Sequence, residues 1–305
     1  MMAPVHRIEA GKACPVKGRA VLDMSKILWT GTLIILSLCL APFFTNLAAI
    51  SLGLGLTYVT LLLGHSVGMH RMMIHRSFKT VTWVRYSLLY LGTLVGIGGP
   101  SAVIKIHDTR DWAQRAPSCH PYFSHEKGFW RDITWQLFYR FEFDHPPHIK
   151  IEPEISEDRF LQHLDNYWRV HQIALAGGLY LLGGLPFVIW GICIRVAIST
   201  IGHWTVTYFC HNPGPGRWDV KNAGVQASNL KLKGWIGGLL THGECWHNNH
   251  HAFPESAQIG LEAGEFDPAW IIISALEKSG LVYDVSAPRR DRDCLLYTSP
   301  SPRDS

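Results

Sequence analysis

The sequence predicts an all-α membrane protein with four transmembrane helices and a cytoplasmic helical cap that carries a histidine-rich metal site. Three observations predict this class. Long uncharged runs occur in two pairs, basic residues flank them on one side, and histidines follow them. About 20 apolar residues suffice for one helical crossing, so each pair of runs is long enough for a transmembrane hairpin.

The first hairpin is predicted in a run of 38 residues, from Ile27 to Gly64, that contains no Asp, Glu, Lys or Arg. The stretch "APFFTN" near its middle combines a proline with small polar residues and marks a turn. We therefore predict two crossings, near residues 27–44 and 47–64.

The second hairpin is predicted between Ile173 and Gly216, where Arg195 is the single charged residue. The stretch "GGLP" supplies the turn signal. We therefore predict crossings near residues 169–183 and 186–208.

Basic residues predict the sidedness of both hairpins. Those that lead into the first crossing are Lys12, Lys17, Arg19 and Lys26. Those that follow the second crossing are Arg71, Arg76, Lys79 and Arg85. Because basic loops stay on the cytoplasmic side, both termini and all long polar segments are expected there, including residues 1–26.

The run Tyr86–Ile104 is also uncharged and nearly long enough to cross a bilayer. Hydropathy alone leaves its placement open. If it crossed, His70 and His107 would lie on opposite sides of the membrane and could not share a site. We therefore predict an interfacial or re-entrant segment.

The C-terminal residues divide into three predicted parts. The membrane domain is expected to cover residues 27–285 and a short tail residues 286–293. Residues 294–305, "CLLYTSPSPRDS", resemble the translation of a sequencing-library adapter and are set aside as non-native, so the natural C-terminus is expected to be missing.

Composition excludes some functions. The net charge is only +4 and no long basic run occurs, so nucleic acid is not an expected partner. The seven cysteines form no C-x-x-C pair and are expected to be reduced thiols. The sequence has no convincing dinucleotide motif and no haem-binding domain, so electrons are expected to come from a separate protein.

Histidine is the compositional outlier, with 17 residues in the chain. Several follow the apolar runs, and all of these are expected at one membrane face: His65, His70, His75, His107, His203, His211, His247, His250 and His251. Imidazole suits Zn, Cu, Fe and Ni. So many histidines exceed the needs of one ion and indicate two. A nitrogen-rich, redox-capable site at a membrane favours iron with O2 chemistry, although the spacing alone does not fix the metal.

Two histidine motifs resemble those of the membrane fatty acyl desaturases. "HRMMIHRSF" is similar to the H-x4-H first box of that family, and "GECWHNNHHAFP" is similar to its H-x2-H-H third box. The spacing of Arg195, Trp204 and His211 resembles the fourth crossing of the stearoyl-CoA desaturase type. "EFDPAWIIISALEKSGLVYDV" resembles the helix after the third box in bacterial members. The resemblance covers most of residues 20–285.

The resemblance implies a dinuclear iron centre at the cytoplasmic face, with O2 as co-substrate. It implies removal of two hydrogens from adjacent methylenes, expected at the Δ9 position of a saturated C16–C18 acyl-CoA or another acyl carrier. An alkyl C–H bond is too strong for acid–base groups, so a strongly oxidising metal centre is needed. The ligands carried over by position are His70, His75, His107, His211, His247, His250 and His251.

The resemblance also implies partners and a location. Electrons are expected from a ferredoxin-, rubredoxin- or cytochrome-like donor with its reductase. The membrane is expected to be the bacterial inner membrane or the endoplasmic reticulum. Arg71, Arg76 and Lys79 are expected to mark the membrane boundary, and they are also candidates for contact with the phosphates of a CoA thioester.

The second box departs from the family pattern. It is normally H-x2-H-H, but Arg110 and Asp111 stand here where two histidines are expected after His107. We predict that Asp111 and His203 lie near the metals and that at least one is a ligand. The alternative is that Asp111 pairs with Arg110 or Arg115.

Two other functions remain open from the sequence. A membrane di-iron hydroxylase of a lipid or alkane would share the boxes and insert oxygen instead. A metal-binding membrane protein without catalysis, such as a transporter, belongs to a different class. The histidines are expected at one face rather than along the helices at mid-membrane, which disfavours transport.

Overall fold

A computed structural model describes residues 5–125, 127–220, 227–232 and 234–288. The adapter-like residues 294–305 and most of the predicted tail lie outside this described part. The chain divides into two compact units. The histidine unit comprises Met1–His6, Ser66–Arg85 and Thr205–Ser305, and the hairpin unit comprises Arg7–His65 and Tyr86–Trp204.

The described structure is mostly helical. Its helices in chain order are α1 Met24–Leu40, α2 Leu47–Ile74, α3 Thr82–Leu94, α4 Pro100–Arg115, α5 Pro121–Ser124, α6 Phe129–Phe138, α7 Pro153–Ser156, α8 Arg159–Cys210, α9 Gly234–Thr241, α10 His247–Ala252 and α11 Pro268–Lys278. Its strands are β1 Ile8–Glu9, β2 Gly18–Leu22, β3 Lys79–Thr80, β4 Tyr139–Phe143, β5 His148–Ile149 and β6 Val282–Tyr283.

The turn predicted near residue 44 separates α1 from α2. Helix α1 ends at Leu40, and Asn46 caps α2 by accepting a hydrogen bond from the amide of Ala49 at 2.9 Å. The side-chain oxygen satisfies one of the amides that every helix start leaves without an internal partner. Asn46, at the polar end of the "APFFTN" stretch, therefore ends the turn and starts the second helix.

Helix α8 folds back on itself at the predicted "GGLP" turn. Gly184 has a φ of 68° and a ψ of −157°, which no helix can contain, and Pro186 follows. A Cβ at Gly191 would overlap Leu179, although these residues would be about 18 Å apart in one straight helix. The two arms of α8 therefore pack against each other as a hairpin.

The four apolar helical segments share one core in the hairpin unit. Leu179 packs with Ile189, Ile192 and Val196 of the second α8 arm and with Leu33 of α1. Helix α2 joins them at Gly53, where a Cβ would lie 2.8 Å from the carbonyl oxygen of Trp190. The absent side chain lets the α2 and α8 backbones come into contact, which is typical of helices that pack in membranes.

Two helices, not four, are long and apolar enough to cross a membrane within the described residues. They are α2, with 28 residues, and α8, with 52 residues. Helix α1 is apolar but shorter, and at about 26 Å it is somewhat less than the apolar thickness of a bilayer. The break in α8 explains part of the difference between two and four. Its 52 residues count as one long helix, but they contain both arms of the second predicted hairpin.

The run Tyr86–Ile104 is not one helix. Helix α3 ends at Leu94, the chain passes through Gly96 and Gly98 with φ values of 87° and 153°, and α4 begins at Pro100. The 13 residues of α3 are about 20 Å long and therefore too short to cross a bilayer.

The prediction of an all-α protein missed three small antiparallel sheets, β1–β5, β2–β4 and β3–β6. The largest pairs Gly18–Leu22 with Tyr139–Phe143. Its aromatic side chains pack against Tyr122 and Phe123 of α5. The alternating sequence "YRFEF" is typical of a half-buried strand, but five residues are too few to outweigh the helical pattern around them.

Candidate metal centre

The first histidine pair depends on an unusual turn in α2. In an α-helix, residues five apart are about 140° apart around the axis, so His70 and His75 would point to different sides. From Thr60 to Ile74 the helix instead has wide i→i+5 turns, and the amide of His75 donates to the carbonyl of His70 at 3.0 Å. This wider turn brings the two Nε2 atoms to 3.2 Å. Such turns are often found at functional sites.

The third motif lies on the single turn of α10 and contributes to two clusters. Around the helix axis His250 and His251 flank His247, about 60° to one side and about 40° to the other, so the two can reach different neighbours. His250 contacts His70 and His75, with ring centroids at 4.6 and 4.4 Å. His247 and His251 meet His211, which directly follows α8.

The two clusters are compact. In cluster A, formed by His70, His75 and His250, one ring nitrogen from each residue lies within 4.8 Å of the others. Cluster B, formed by His211, His247 and His251, meets the same limit. The rings of His247 and His250 are 5.5 Å apart between centroids, so the two clusters are neighbours in the histidine unit.

The nitrogen geometry of cluster B fits a metal better than hydrogen bonding. His247 Nε2 lies 3.0 Å from Nε2 of His211 and 3.0 Å from Nε2 of His251. A ring nitrogen carries one proton or one lone pair, so it cannot make a full hydrogen bond to both. Nitrogens that bind one ion at about 2.1 Å would be about 3.0–3.4 Å apart.

His250 is suited to bind a metal in its neutral form. It is 2% exposed, and within the described residues its Nδ1 has no hydrogen-bond partner. Burial, together with the neighbouring His75 and His70, holds the pKa of His250 well below its usual value. The neutral imidazole is the form that binds metals, so its environment favours the required state.

Glu244 orients His70 and was not predicted from the sequence. Its Oε2 lies 2.8 Å from His70 Nδ1, on the opposite side of the ring from the Nε2 that faces His75. Burial alone would raise the pKa of Glu244, but His70, Arg71 and Ser66 outweigh it and hold this pKa far below its usual value. A carboxylate on the outer nitrogen fixes the tautomer of a metal-binding histidine and makes it more basic.

Two asparagines hold α10 in place. Asn248 accepts from the amide of Trp218 at 2.8 Å, and its Nδ2 donates to the carbonyls of Trp218 and Ala227. Asn249 accepts from the indole of Trp218 at 3.0 Å, and its Nδ2 donates to Ile259 and Glu265. Both are at most 1% exposed. The "NN" of the motif therefore fixes the helix that carries three histidines.

The altered second motif lies on α4 in the hairpin unit. His107 Nδ1 is 3.0 Å from Asp108 Oδ1, and Asp108 also binds the buried Arg7 at 3.0 Å. Asp108 therefore contacts Nδ1 of His107 as Glu244 contacts Nδ1 of His70. The contact of Asp108 was not predicted from the sequence. Asp111 is 7% exposed and lies 3.9 Å from His107 Nε2 and 3.5 Å from Arg110.

Other predicted residues occupy different surroundings. His203 lies in the hairpin unit, where its ring makes an edge-to-face contact with His65 at 5.0 Å. Arg71 is 1% exposed and forms a bidentate ion pair with Asp267 at 2.9 and 3.0 Å. Its guanidinium is therefore buried and paired within the protein. Lys79 is exposed and pairs with Asp284. Arg76 has a left-handed backbone, with a φ of 52°.

Comparison with known proteins gives consistent matches over most of the chain. The model of the fatty acid desaturase family matches residues 27–286. An sn-1 stearoyl-lipid 9-desaturase of Anabaena variabilis is 34% identical over 271 residues, which cover 85% of this chain and 94% of that protein.

Two plant proteins match with similar identity. A chloroplastic palmitoyl-monogalactosyldiacylglycerol delta-7 desaturase of Arabidopsis thaliana is 33% identical, covering 85% of this chain and 68% of that protein. An acyl-CoA 5-desaturase of Anemone leveillei is 31% identical, covering 87% and 80%. These relatives are named for both lipid-linked and CoA-linked substrates and for three double-bond positions.

Proposed function

Because the chain belongs to the fatty acid desaturase family and is an oxidoreductase that acts on fatty acids, we propose that it introduces a double bond into a long saturated acyl chain at a di-iron centre. The observation that supports this most strongly is the pair of neighbouring histidine clusters, to both of which α10 contributes. The resemblance predicted from the two histidine motifs is confirmed at the level of the family.

We propose the Δ9 position and a C16–C18 chain. The relatives from Anabaena and Synechocystis are named as stearoyl-lipid 9-desaturases, and they support this choice. Relatives with nearly the same identity to this chain are named for positions 5 and 7, so the double-bond position varies among proteins of this similarity. The relatives are named for both acyl-lipid and acyl-CoA substrates, and they support an acyl chain on either carrier.

Clusters A and B would hold the two irons, with His107 added by the family resemblance. The bound irons would supply, together with O2, the oxidising power that an alkyl C–H bond requires. The net reaction removes two hydrogens from adjacent methylenes. These, with two electrons and two protons from an external donor, reduce O2 to two water molecules.

The protein's own side chains would prepare the site in three ways. Glu244 and Asp108 hold the outer nitrogens of His70 and His107 and so direct the opposite ring nitrogens. Burial keeps His250 neutral. Asn248 and Asn249 fix the helix between the clusters, so that few side chains must be ordered when metal binds.

The fatty acid profile of a desaturase-deficient host that expresses residues 1–293 tests this function. Mass spectrometry should show new monounsaturated C16 and C18 acids with the double bond at Δ9. Hydroxylated acids without alkenes would instead support the membrane hydroxylase. Neither product from a well-expressed, metal-loaded chain would favour a metal-binding protein without catalysis.

We propose a multi-pass topology of four crossings with both ends and the metal centre in the cytoplasm. The two long apolar helices fit a membrane-associated protein, and the packed α8 hairpin supports two crossings within one of them. Labelling of Thr80→Cys and Trp112→Cys with a membrane-impermeant reagent should occur from the same side. Labelling from opposite sides would contradict the topology.

We propose that Asp111 and His203 lie near the metals and that at least one of them supplies a ligand in place of the histidines that the altered second box lacks. Asp111 is nearly buried beside His107, which supports its role, although Arg110 also lies within 3.5 Å of its carboxylate. Asp111→Asn keeps the shape and removes the charge, so a ligand should lose iron. If Asp111→Asn and His203→Ala both retain two irons per chain, neither residue is a ligand.

A further inference from the structure

Helix α9, Gly234–Thr241, is built with its small residues inside and its large apolar residues outside. Gly237 and Gly238 are buried. A Cβ at Gly238 would overlap the carbonyl oxygen of Phe266, and one at Gly234 would overlap that of Gly264. The glycine face is therefore pressed against the backbone of the segment that leads into α11.

The opposite face of α9 is apolar and exposed. Trp235 is 63% exposed, Leu240 65% and Leu239 38%. No charged residue occurs from position 234 to position 243. A helix on the surface of a soluble domain has the reverse pattern, with apolar residues toward the core and polar residues toward water. The arrangement needs an apolar environment outside the protein.

We propose that the exposed face of α9 lies in the interfacial layer of the lipid bilayer. Small residues at the protein contact and large apolar residues outside are typical of helices that face lipid. Tryptophan is favoured at the membrane interface. The helix has eight residues and is about 12 Å long, so it lies in the interface and does not cross.

The residues before α9 fit the same partner. Lys231 is exposed, and the sequence places a second lysine at position 233. Basic residues next to an apolar helix face attract anionic lipid headgroups. Leu232, between the lysines, is 46% exposed and extends the apolar surface. The combination of cationic and apolar groups indicates a bilayer that contains anionic lipid.

Membrane contact at α9 would set the position of the histidines relative to the bilayer. The amide of Gly243 donates to Gly238 at 2.9 Å, and the amide of Cys245 donates to Thr241 Oγ1 at 3.0 Å. The end of α9 is thereby tied to the segment that contains Glu244 and leads into α10. This inference concerns placement at the membrane and does not depend on the reaction that the centre performs.

Collision measurements with a nitroxide spin label test the proposal on the full chain. Cys14, Cys39, Cys119 and Cys294 are replaced by serine, and the buried cysteines remain. The label is attached to Leu239→Cys or Leu240→Cys, and to the matched control Lys278→Cys, which is exposed on α11 of the same unit. The protein is reconstituted in vesicles of mixed phosphatidylcholine and phosphatidylglycerol.

Oxygen dissolves in lipid, and a nickel chelate stays in water, so the two relaxing agents report different environments. A label in lipid should collide with oxygen several-fold more often than with nickel at residues 239 and 240, with the reverse ratio at 278. Frequent nickel collisions at both α9 positions would overturn the proposal. Rare collisions with both agents would also overturn it, because they would show that protein covers the face.

Discussion

His250→Ala is expected to abolish product formation and to release iron from the purified protein. The ring of His250 is buried and contacts both other members of cluster A, so its removal takes away a nitrogen ligand at the centre of the cluster. Elemental analysis and the fatty acid profile of the host measure the two effects. His250→Gln, which keeps most of the volume, should give the same result.

The matched control is His148→Ala. His148 lies on β5 with its side chain largely exposed, outside both clusters. This variant should keep its iron and its product. Circular dichroism and size-exclusion chromatography establish that the His250 variants remain folded. A folded His250→Ala protein with full activity and full iron content would refute the assignment of cluster A.

Glu244→Gln is expected to weaken iron binding by about 10- to 100-fold, the range found when the partner of a metal-binding histidine is lost. Glutamine keeps the shape of the side chain but removes the negative charge 2.8 Å from His70 Nδ1. His70 then becomes a weaker donor at Nε2. Iron retention during titration with a chelator, at one fixed pH, measures the change.

Glu262→Gln is the control for this substitution. Glu262 lies in the same unit, is partly exposed and pairs with Arg217 rather than with a histidine. Its iron retention should match that of the unaltered protein. Equal retention by Glu244→Gln and Glu262→Gln would show that Glu244 does not support the metal site and has only a structural role.

Sequence spacing identified the residues of the clusters but not how they meet. The H-x4-H spacing of His70 and His75 would separate the two rings in a regular α-helix. The i→i+5 turns that bring them together arise over 15 residues of α2. No simple pattern in those residues distinguishes such turns from α-helix, so the geometry could not be predicted from the sequence.

The carboxylates beside the histidines were missed for a different reason. Glu244 reaches His70 across 174 positions of the chain, and the choice of partner depends on tertiary packing rather than on local pattern. Asp108 is the immediate neighbour of His107, yet attention to box spacing favoured Asp111 instead. Both acidic residues lie within three positions of a histidine in the second or third motif, but only the fold shows that Glu244 pairs with His70.

Helix boundaries were predicted well where turn residues mark them and poorly elsewhere. The "GGLP" stretch gave the α8 hairpin, because Gly184 and Pro186 cannot continue a helix. The same helix begins at Arg159, ten positions before the predicted start at 169, since hydropathy does not detect its polar first turns. The first crossing was predicted to reach residue 44, but α1 ends at Leu40.

The iron content of the purified, unaltered chain tests the central claim most directly. Clusters A and B provide two adjacent sets of histidine nitrogens, so elemental analysis should find two irons per chain with little zinc or copper. One metal ion per chain, or stoichiometric zinc in place of iron, would contradict a di-iron oxidation centre even if the family assignment stands.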